Sequence, residues 1–174
     1  MSEMHRIGEA LKRAERTVSL RPERGQRTYR SLARIERGLS CEVSEGEDRL
    51  TIDVGRALGG EGAGPNPSTV LRAALSSCLA IGIKQWAARA GIAVDAVSVA
   101  VETDIDARGQ LGVADAIAPG FQAIRVEFDI RAQASRTAIE QVVDTSLRYS
   151  PLIDVFLNPQ AIAHRLTVTE PKTA

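Results

Sequence analysis

Residues 59–78 read GGEGAGPNPSTVLRAALSSC, and this stretch indicates the architecture of the whole chain. A glycine-rich loop leads into Asn66, a favourable N-cap, and Pro67, which suits the first position of a helix. The predicted helix ends before Gly91, which suits a C-cap. Because residues 73–83 are nearly apolar all round, we expect a central helix that is buried on most sides.

The glycine-rich loop lies between a strand and a helix, which is also the order of a dinucleotide-binding fold. The third glycine of a Gly-x-Gly-x-x-Gly motif is missing, since Gly60 and Gly62 are followed by Pro65. The preceding strand alternates between apolar and polar residues, whereas the buried strands of a parallel sheet are continuously apolar. We therefore expect no nucleotide and no other cofactor.

Alternating apolar and polar residues on both sides of the central helix predict two β-hairpins. The alternating runs are residues 34–44, 49–54, 97–105 and 124–131. Each run has one apolar face, as expected for antiparallel sheets with one solvated side. Residues 107–121 form a long connection within the second hairpin. A last alternation predicts a closing strand at Ile162, Leu166 and Val168.

A second long helix is predicted near the end of the chain. Thr137 and Glu140 have the spacing of a capping box, which would open this helix. Its inner stripe contains Ile139, Val142, Val143, Ser146 and Leu147. Ser150 is nearly in phase with that stripe, and Pro151 should break or kink the helix at this point. The side chain of Ser150 is therefore expected to face the core.

The first 33 residues differ from the rest of the chain. Residues 3–16 form a predicted amphipathic helix, and residues 17–30 form an arginine-rich connector. We predict an N-terminal helix and basic connector over residues 1–33, followed by one folded domain over residues 34–174. The total length of 174 residues suits a single domain.

The composition excludes several classes of function. Lys plus Arg and Asp plus Glu both number 22, so the formal net charge is zero, and a nucleic-acid-binding protein needs a basic surplus. No apolar segment near the N-terminus resembles a signal peptide. The longest uncharged apolar run, residues 73–83, is shorter than the roughly 20 residues that span a bilayer. We expect a cytoplasmic protein without membrane or nucleic-acid partners.

Cys41 and Cys78 are the two cysteines of the sequence, which is too few for a disulfide scaffold. With no C-x-x-C motif and only two histidines, we expect no metal site. His164 lies on the apolar side of the predicted closing strand, where a core or edge histidine is favoured over a catalytic base. Cys78 on the central helix is either a packed cysteine or a nucleophile, and the residues alone leave both readings open.

The order of elements and several local motifs resemble the OsmC/Ohr superfamily. The motifs are the glycine-rich loop with Asn66-Pro67, the small-residue helix that reaches Cys78, Gly91-Ile92, Arg108-Gly109 and Gly120-Phe121. The resemblance covers roughly residues 34–169. It implies an α+β fold with antiparallel β-sheets packed around long central helices in an intertwined homodimer.

The resemblance also implies a chemistry. Active members of this superfamily reduce organic hydroperoxides with a peroxidatic and a resolving cysteine, and dithiols such as lipoyl groups reduce them again. An arginine and a glutamate activate the first cysteine. Cys78 matches the peroxidatic cysteine, and Arg37 is the candidate for the activating arginine, with Arg34 nearly as suitable.

Two positions differ from the pattern of the family. Ser68 stands where the glutamate follows Asn-Pro, and Ser150 stands where the resolving cysteine precedes a proline. Both serines are candidate binding residues, and Cys41 is a candidate substitute for the resolving thiol. Two hypotheses follow: a thiol peroxidase of one-cysteine or altered two-cysteine type, or a non-catalytic dimeric module that binds a small apolar ligand near Cys78.

Overall fold

Helices and two antiparallel sheets alternate along residues 2–169, which the computed structural model describes. The order is α1 (Glu3–Leu20), β1 (Leu32–Arg34), β2 (Cys41–Glu45), β3 (Asp48–Ile52), α2 (Pro67–Arg89), β4 (Val94–Asp104), α3 (Ala107–Gln110), β5 (Ala123–Ala132), α4 (Arg136–Arg148) and α5 (Pro151–Leu157). One sheet has the strand order β1-β2-β3, and the other pairs β4 with β5. The predicted α+β class is confirmed.

The central helix α2 begins and ends as its sequence predicts. The side-chain oxygen of Asn66 accepts a hydrogen bond of 2.8 Å from the backbone N–H of Thr69, and Pro67 occupies the first turn. At the other end, Gly91 has a φ of +73°, a left-handed conformation that glycine adopts without strain. Local chemistry alone therefore determines both ends of α2.

One face of α2 forms the core of the chain. This face is buried against β4, α1 and α4, and it contains Leu75, Leu79, Ile83 and Ala87. The opposite face contains Ala73, Ser77, Ile81 and Gln85, which are exposed, and the side chain of Ile81 is 58% exposed. Within one chain, the expected burial on most sides is therefore achieved on one side only.

The sheet of β1, β2 and β3 stands apart from the rest of its chain, since it packs extensively on none of the described helices. The predicted single strand over residues 34–44 is wrong. Two strands replace it, and the chain reverses between them at Gly38, whose φ is +58°, so that Ala33 pairs with Val43. Ile35 and Leu39 are exposed at 53% and 42%, because the turn removes them from the sheet.

The predicted capping box at the start of α4 is also wrong. Ser135 is the N-cap, and its hydroxyl accepts a hydrogen bond of 3.2 Å from the N–H of Ala138. Thr137 lies inside the helix, and Glu140 forms an ion pair of 2.7 Å with Arg136. The predicted break at Pro151 is confirmed, since α4 ends at Arg148 and α5 begins at Pro151.

The predicted closing strand does not form within one chain, since residues 159–169 contain neither helix nor strand. Its apolar residues Ile162, Leu166 and Val168 are exposed at 90%, 81% and 76%, because no strand of the chain pairs with them. The N-terminal helix exceeds its predicted length and packs on α2. No helix within residues 2–169 is long and apolar enough to cross a membrane.

Candidate functional site

Cys78 lies near the middle of α2 and is half-buried. Its thiol points towards the junction between α4 and α5, where its sulfur lies 3.6 Å from the hydroxyl oxygen of Ser150. At this distance either group can donate a hydrogen bond to the other. The thiol therefore meets a hydroxyl from a segment 72 residues further along the chain.

Ser150 is placed against Cys78 by the break between the two helices. It is the N-cap of α5, and its hydroxyl oxygen accepts a hydrogen bond of 3.3 Å from the N–H of Ile153. Pro151 follows at the first helical position, where its missing N–H is harmless. Ser150 is 5% exposed, so it faces inward as its helical phase predicts, while its binding role stays a prediction.

A second serine, Ser146, lies in the last turn of α4, four residues before Ser150. It is 3% exposed, and its hydroxyl has no hydrogen-bond partner among the described residues. The hydroxyl oxygen is 2.6 Å from the position that a β-carbon on Gly82 would occupy. Sequence reasoning placed Ser146 on the inner stripe without giving it a role, because its missing partner depends on contacts between distant segments.

The glycine-rich loop before α2 is held by Asp53, another residue without a sequence-based role. The side chain of Asp53 is 2% exposed, and its carboxylate accepts hydrogen bonds from the backbone N–H groups of Val54, Glu61 and Ala63 at 2.7, 3.1 and 3.0 Å. The bond from Ala63 is the main reason that the pKa of Asp53 is lowered. A β-carbon on Gly60 would collide with this carboxylate and with the carbonyl oxygen of Val54.

Ser68 and Arg37 do not join Cys78 within one chain. Ser68 is the second residue of α2, and ten residues of helix separate it from Cys78 by about 15 Å along the axis. Arg37 is exposed in the turn between β1 and β2, and Arg34 is exposed at the end of β1. The sheet that contains Arg34 packs extensively on no helix within residues 2–169.

The other candidate residues lie away from Cys78. Cys41 is half-buried in β2 opposite Ile52, on the sheet that stands apart. His164 is exposed in the segment after α5, where no strand forms within the chain, so its predicted core or edge position in a closing strand is wrong. No group of three or more His, Cys, Asp or Glu side chains within residues 2–169 could hold a metal ion.

A surface groove lies elsewhere on the chain. A surface groove of about 650 Å³ lies between β5 and α4, with Phe128, Ile130, Ile139 and Val143 among its lining residues. Cys78 is not one of them. The pocket that the ligand-binding hypothesis needs beside Cys78 is therefore not provided by this groove.

Comparison with protein families gives a match over part of the chain. The family described as OsmC-like protein matches residues 60–165, which include α2, the second hairpin, α4 and α5. The match covers more than half of the 174 residues. A comparison with curated proteins finds no match.

Solved structures of low sequence identity share the fold. An OsmC-like protein from Mycoplasma pneumoniae is 16% identical, with a TM-score of 0.65, over 77% of this chain and 90% of the other. An organic hydroperoxide resistance protein from Legionella pneumophila is 22% identical, with a TM-score of 0.54, over 75% and 89%. The organic hydroperoxide resistance protein OhrB of Bacillus subtilis is 18% identical, with a TM-score of 0.50, over 76% and 93%.

Proposed function

This chain belongs to the OsmC-like protein family, and we propose that it is a thiol peroxidase that reduces organic hydroperoxides with Cys78 as the attacking group. The observation that carries the proposal is the contact of 3.6 Å between Cys78 and Ser150. Ser150 stands where the family resemblance implies a resolving cysteine, so the thiol faces the position at which its oxidised form would be resolved.

The reaction begins with the thiolate of Cys78, since the thiolate is the nucleophilic form of cysteine. The sulfur attacks the terminal oxygen of the hydroperoxide, an S–O bond forms, and the O–O bond breaks. The leaving alkoxide takes a proton and departs as an alcohol, while the sulfur is oxidised to a sulfenic acid. The terminal oxygen of the hydroperoxide is thus bonded to the sulfur of Cys78.

In the one-cysteine form of the proposal, thiols from outside the chain reduce the sulfenic acid, because a hydroxyl at position 150 cannot form a disulfide. One thiol of a dithiol attacks the sulfur, and the oxygen leaves as water. The second thiol of the dithiol attacks the mixed disulfide and releases Cys78 as a thiol. The dithiol leaves as a disulfide, so two electrons pass from it to the hydroperoxide.

A homodimer is part of the proposal. The exposed face of α2, the separate three-stranded sheet and the exposed apolar residues after α5 all lack partners within the described chain. A second copy would cover them, which is consistent with the intertwined dimer that the family resemblance implies. Such a dimer would also allow Arg37 of one subunit to approach Cys78 of the other. We also propose that the protein is cytoplasmic.

Turnover of cumene hydroperoxide with dihydrolipoamide as the reductant tests the proposal. The wild type should consume the peroxide, and Cys78→Ser should abolish this activity. Cys41→Ser is the matched control, because it removes the other cysteine, and it should retain turnover. After a brief exposure to peroxide, mass spectrometry should find sulfenic acid at Cys78 before any oxidation of Cys41. Equal turnover by Cys78→Ser would contradict the assignment.

The second candidate function is a non-catalytic dimeric module that binds a small apolar ligand. It is favoured by the separation of Ser68 and Arg37 from Cys78 within one chain. It predicts no peroxide turnover by the wild type and no rapid oxidation of Cys78. The same assay therefore distinguishes the two functions.

A further inference from the structure

Two buried hydroxyls, one on α4 and one at the start of α5, face the central helix α2. Ser150 and Ser146 are 5% and 3% exposed. A buried hydroxyl without a hydrogen-bond partner destabilises a protein, and Ser146 is in this state within the described residues. Its hydroxyl therefore has both a donor and an acceptor available for a group that the resting chain does not contain.

The two serines face two positions on α2. Ser150 contacts Cys78 at 3.6 Å, and Ser146 lies over Gly82. Because Cys78 and Gly82 are four residues apart within α2, they lie on the same side of that helix. Side-chain positions one turn apart on a helix are about 5–6 Å from each other. Because Gly82 has no side chain, the Ser146 hydroxyl fits against α2 at a position one helical turn beyond Cys78.

We infer that the hydroxyls of Ser146 and Ser150 form an oxygen subsite, which holds the oxygen atom that Cys78 gains on oxidation. This inference rests on the proposed function. The oxygen of Ser150 already accepts the N–H of Ile153, so the hydroxyl proton is free to point towards Cys78. Ser146 supplies a second donor from the side of Gly82.

The subsite gives a physical role to the serine that replaces the resolving thiol. A sulfenic acid without a neighbouring thiol persists until an external dithiol arrives, and a second peroxide can oxidise it further to a sulfinic acid. Over-oxidation requires attack by the sulfur of the sulfenate on a second peroxide oxygen. Hydroxyls that donate to the sulfenate oxygen withdraw electron density from that sulfur and hold the oxygen in one orientation. Both effects slow the second oxidation.

The lifetime of the sulfenic acid tests the inference. The wild type, Ser146→Ala and Ser150→Ala are each treated with a several-fold molar excess of cumene hydroperoxide, because the sulfenic acid and the sulfinic acid each consume one peroxide. Dimedone is added at intervals to trap the sulfenic acid. Mass spectrometry then measures the sulfenic and sulfinic fractions at Cys78. Loss of one hydrogen bond should shorten the sulfenic lifetime roughly threefold to tenfold in either variant, with a matching rise in the sulfinic fraction.

Controls separate the subsite from general effects on folding. Ser135→Ala removes the N-cap hydroxyl of α4, far from Cys78, and should leave the lifetime unchanged. Ser150→Thr keeps a hydroxyl, so its sulfenic lifetime should be close to that of the wild type and longer than that of Ser150→Ala.

Three outcomes are informative. Shorter lifetimes in both alanine variants, with the Ser135→Ala control unchanged, would support the subsite. Wild-type lifetimes in both variants would overturn the subsite and leave the peroxidase function intact. If the wild type forms no sulfenic acid at Cys78, both the subsite and the proposed function are wrong.

Discussion

The hydroxyl oxygen of Ser146 lies 2.6 Å from the position that a β-carbon on Gly82 would occupy. This relationship joins the helix that carries Cys78 to α4, since Gly82 is on α2 and Ser146 is on α4. A glycine inside a helix costs about 0.5–1 kcal/mol relative to alanine. Gly82 is therefore intrinsically unfavourable in α2, and the space that it leaves is occupied by the Ser146 hydroxyl.

Gly82→Ala should not gain the stability that alanine usually brings to a helix. The new methyl group must displace the Ser146 hydroxyl, and overpacking of this kind costs about 1–3 kcal/mol. In the Ser146→Ala background the same change should be less destabilising or even stabilising, with a coupling of about 0.5–3 kcal/mol. Urea unfolding of the two single variants and the double variant measures this coupling, and additive effects would contradict the prediction.

Asp53→Asn should loosen the loop that leads into α2. An amide nitrogen cannot accept the backbone N–H groups that the second carboxylate oxygen now accepts from Glu61 and Ala63. These hydrogen bonds lower the pKa of Asp53 in the folded state. The contribution of the Asp53 carboxylate to the stability of the folded protein is therefore fully present above the ordinary aspartate pKa of about 3.9. It is lost as the pH falls through the lowered value. Asp53→Asn should thus be less stable than the wild type at pH 7.

The same linkage predicts how this difference changes with pH. The gap in thermal midpoint between Asp53→Asn and the wild type should narrow as the pH falls below about 4. Asp95→Asn is the matched control, because Asp95 is exposed on β4. It should change the thermal midpoint little both at pH 7 and below pH ~4. A gap that stays constant down to pH 2.5 would show that the charge of Asp53 is not what holds the loop.

The exposed face of α2 should be covered by a second copy of the chain. Ile81 is 58% exposed on this face, and Ile81→Glu would place a carboxylate in an apolar interface, where an unpaired charge is costly. Sedimentation at micromolar concentration should show a dimer for the wild type and a monomer for Ile81→Glu. Leu20→Glu is the control, because Leu20 is 71% exposed on α1 and outside the family match. A wild-type monomer would contradict the dimer.

The helix ends of this fold are predictable because their causes are local. Asn66, Gly91 and Pro151 act through their own backbone preferences, and all three mark ends that the structure contains. The turn at Gly38 is hidden, because Ile35 and Leu39 continue the alternation of the strands across it. Two hydroxyl residues near the start of α4 can both serve as a cap, and the sequence pattern does not distinguish Ser135 from Thr137.

The candidate site is predictable from the sequence only where its geometry has a local cause. The approach of Ser150 to Cys78 follows from the phase of one helix and the break at Pro151. The buried carboxylate of Asp53 and the unpartnered hydroxyl of Ser146 depend on contacts between segments that are far apart in the sequence.

Ser150→Cys should create a disulfide with Cys78 when the protein is treated with peroxide. The hydroxyl that it replaces is 3.6 Å from the Cys78 sulfur, and a disulfide needs a modest closure to about 2.05 Å. The sulfenic acid at Cys78 would be attacked by the introduced thiol and lose its oxygen as water. Non-reducing peptide mapping should find this link in Ser150→Cys, and the added double variant Ser150→Cys/Cys78→Ser should lack it. The sulfinic fraction at Cys78 should fall in parallel, because the disulfide removes the sulfenic acid before a second peroxide arrives. A link between Cys41 and Cys78 in the oxidised wild type would instead show that the resolving role has moved to β2.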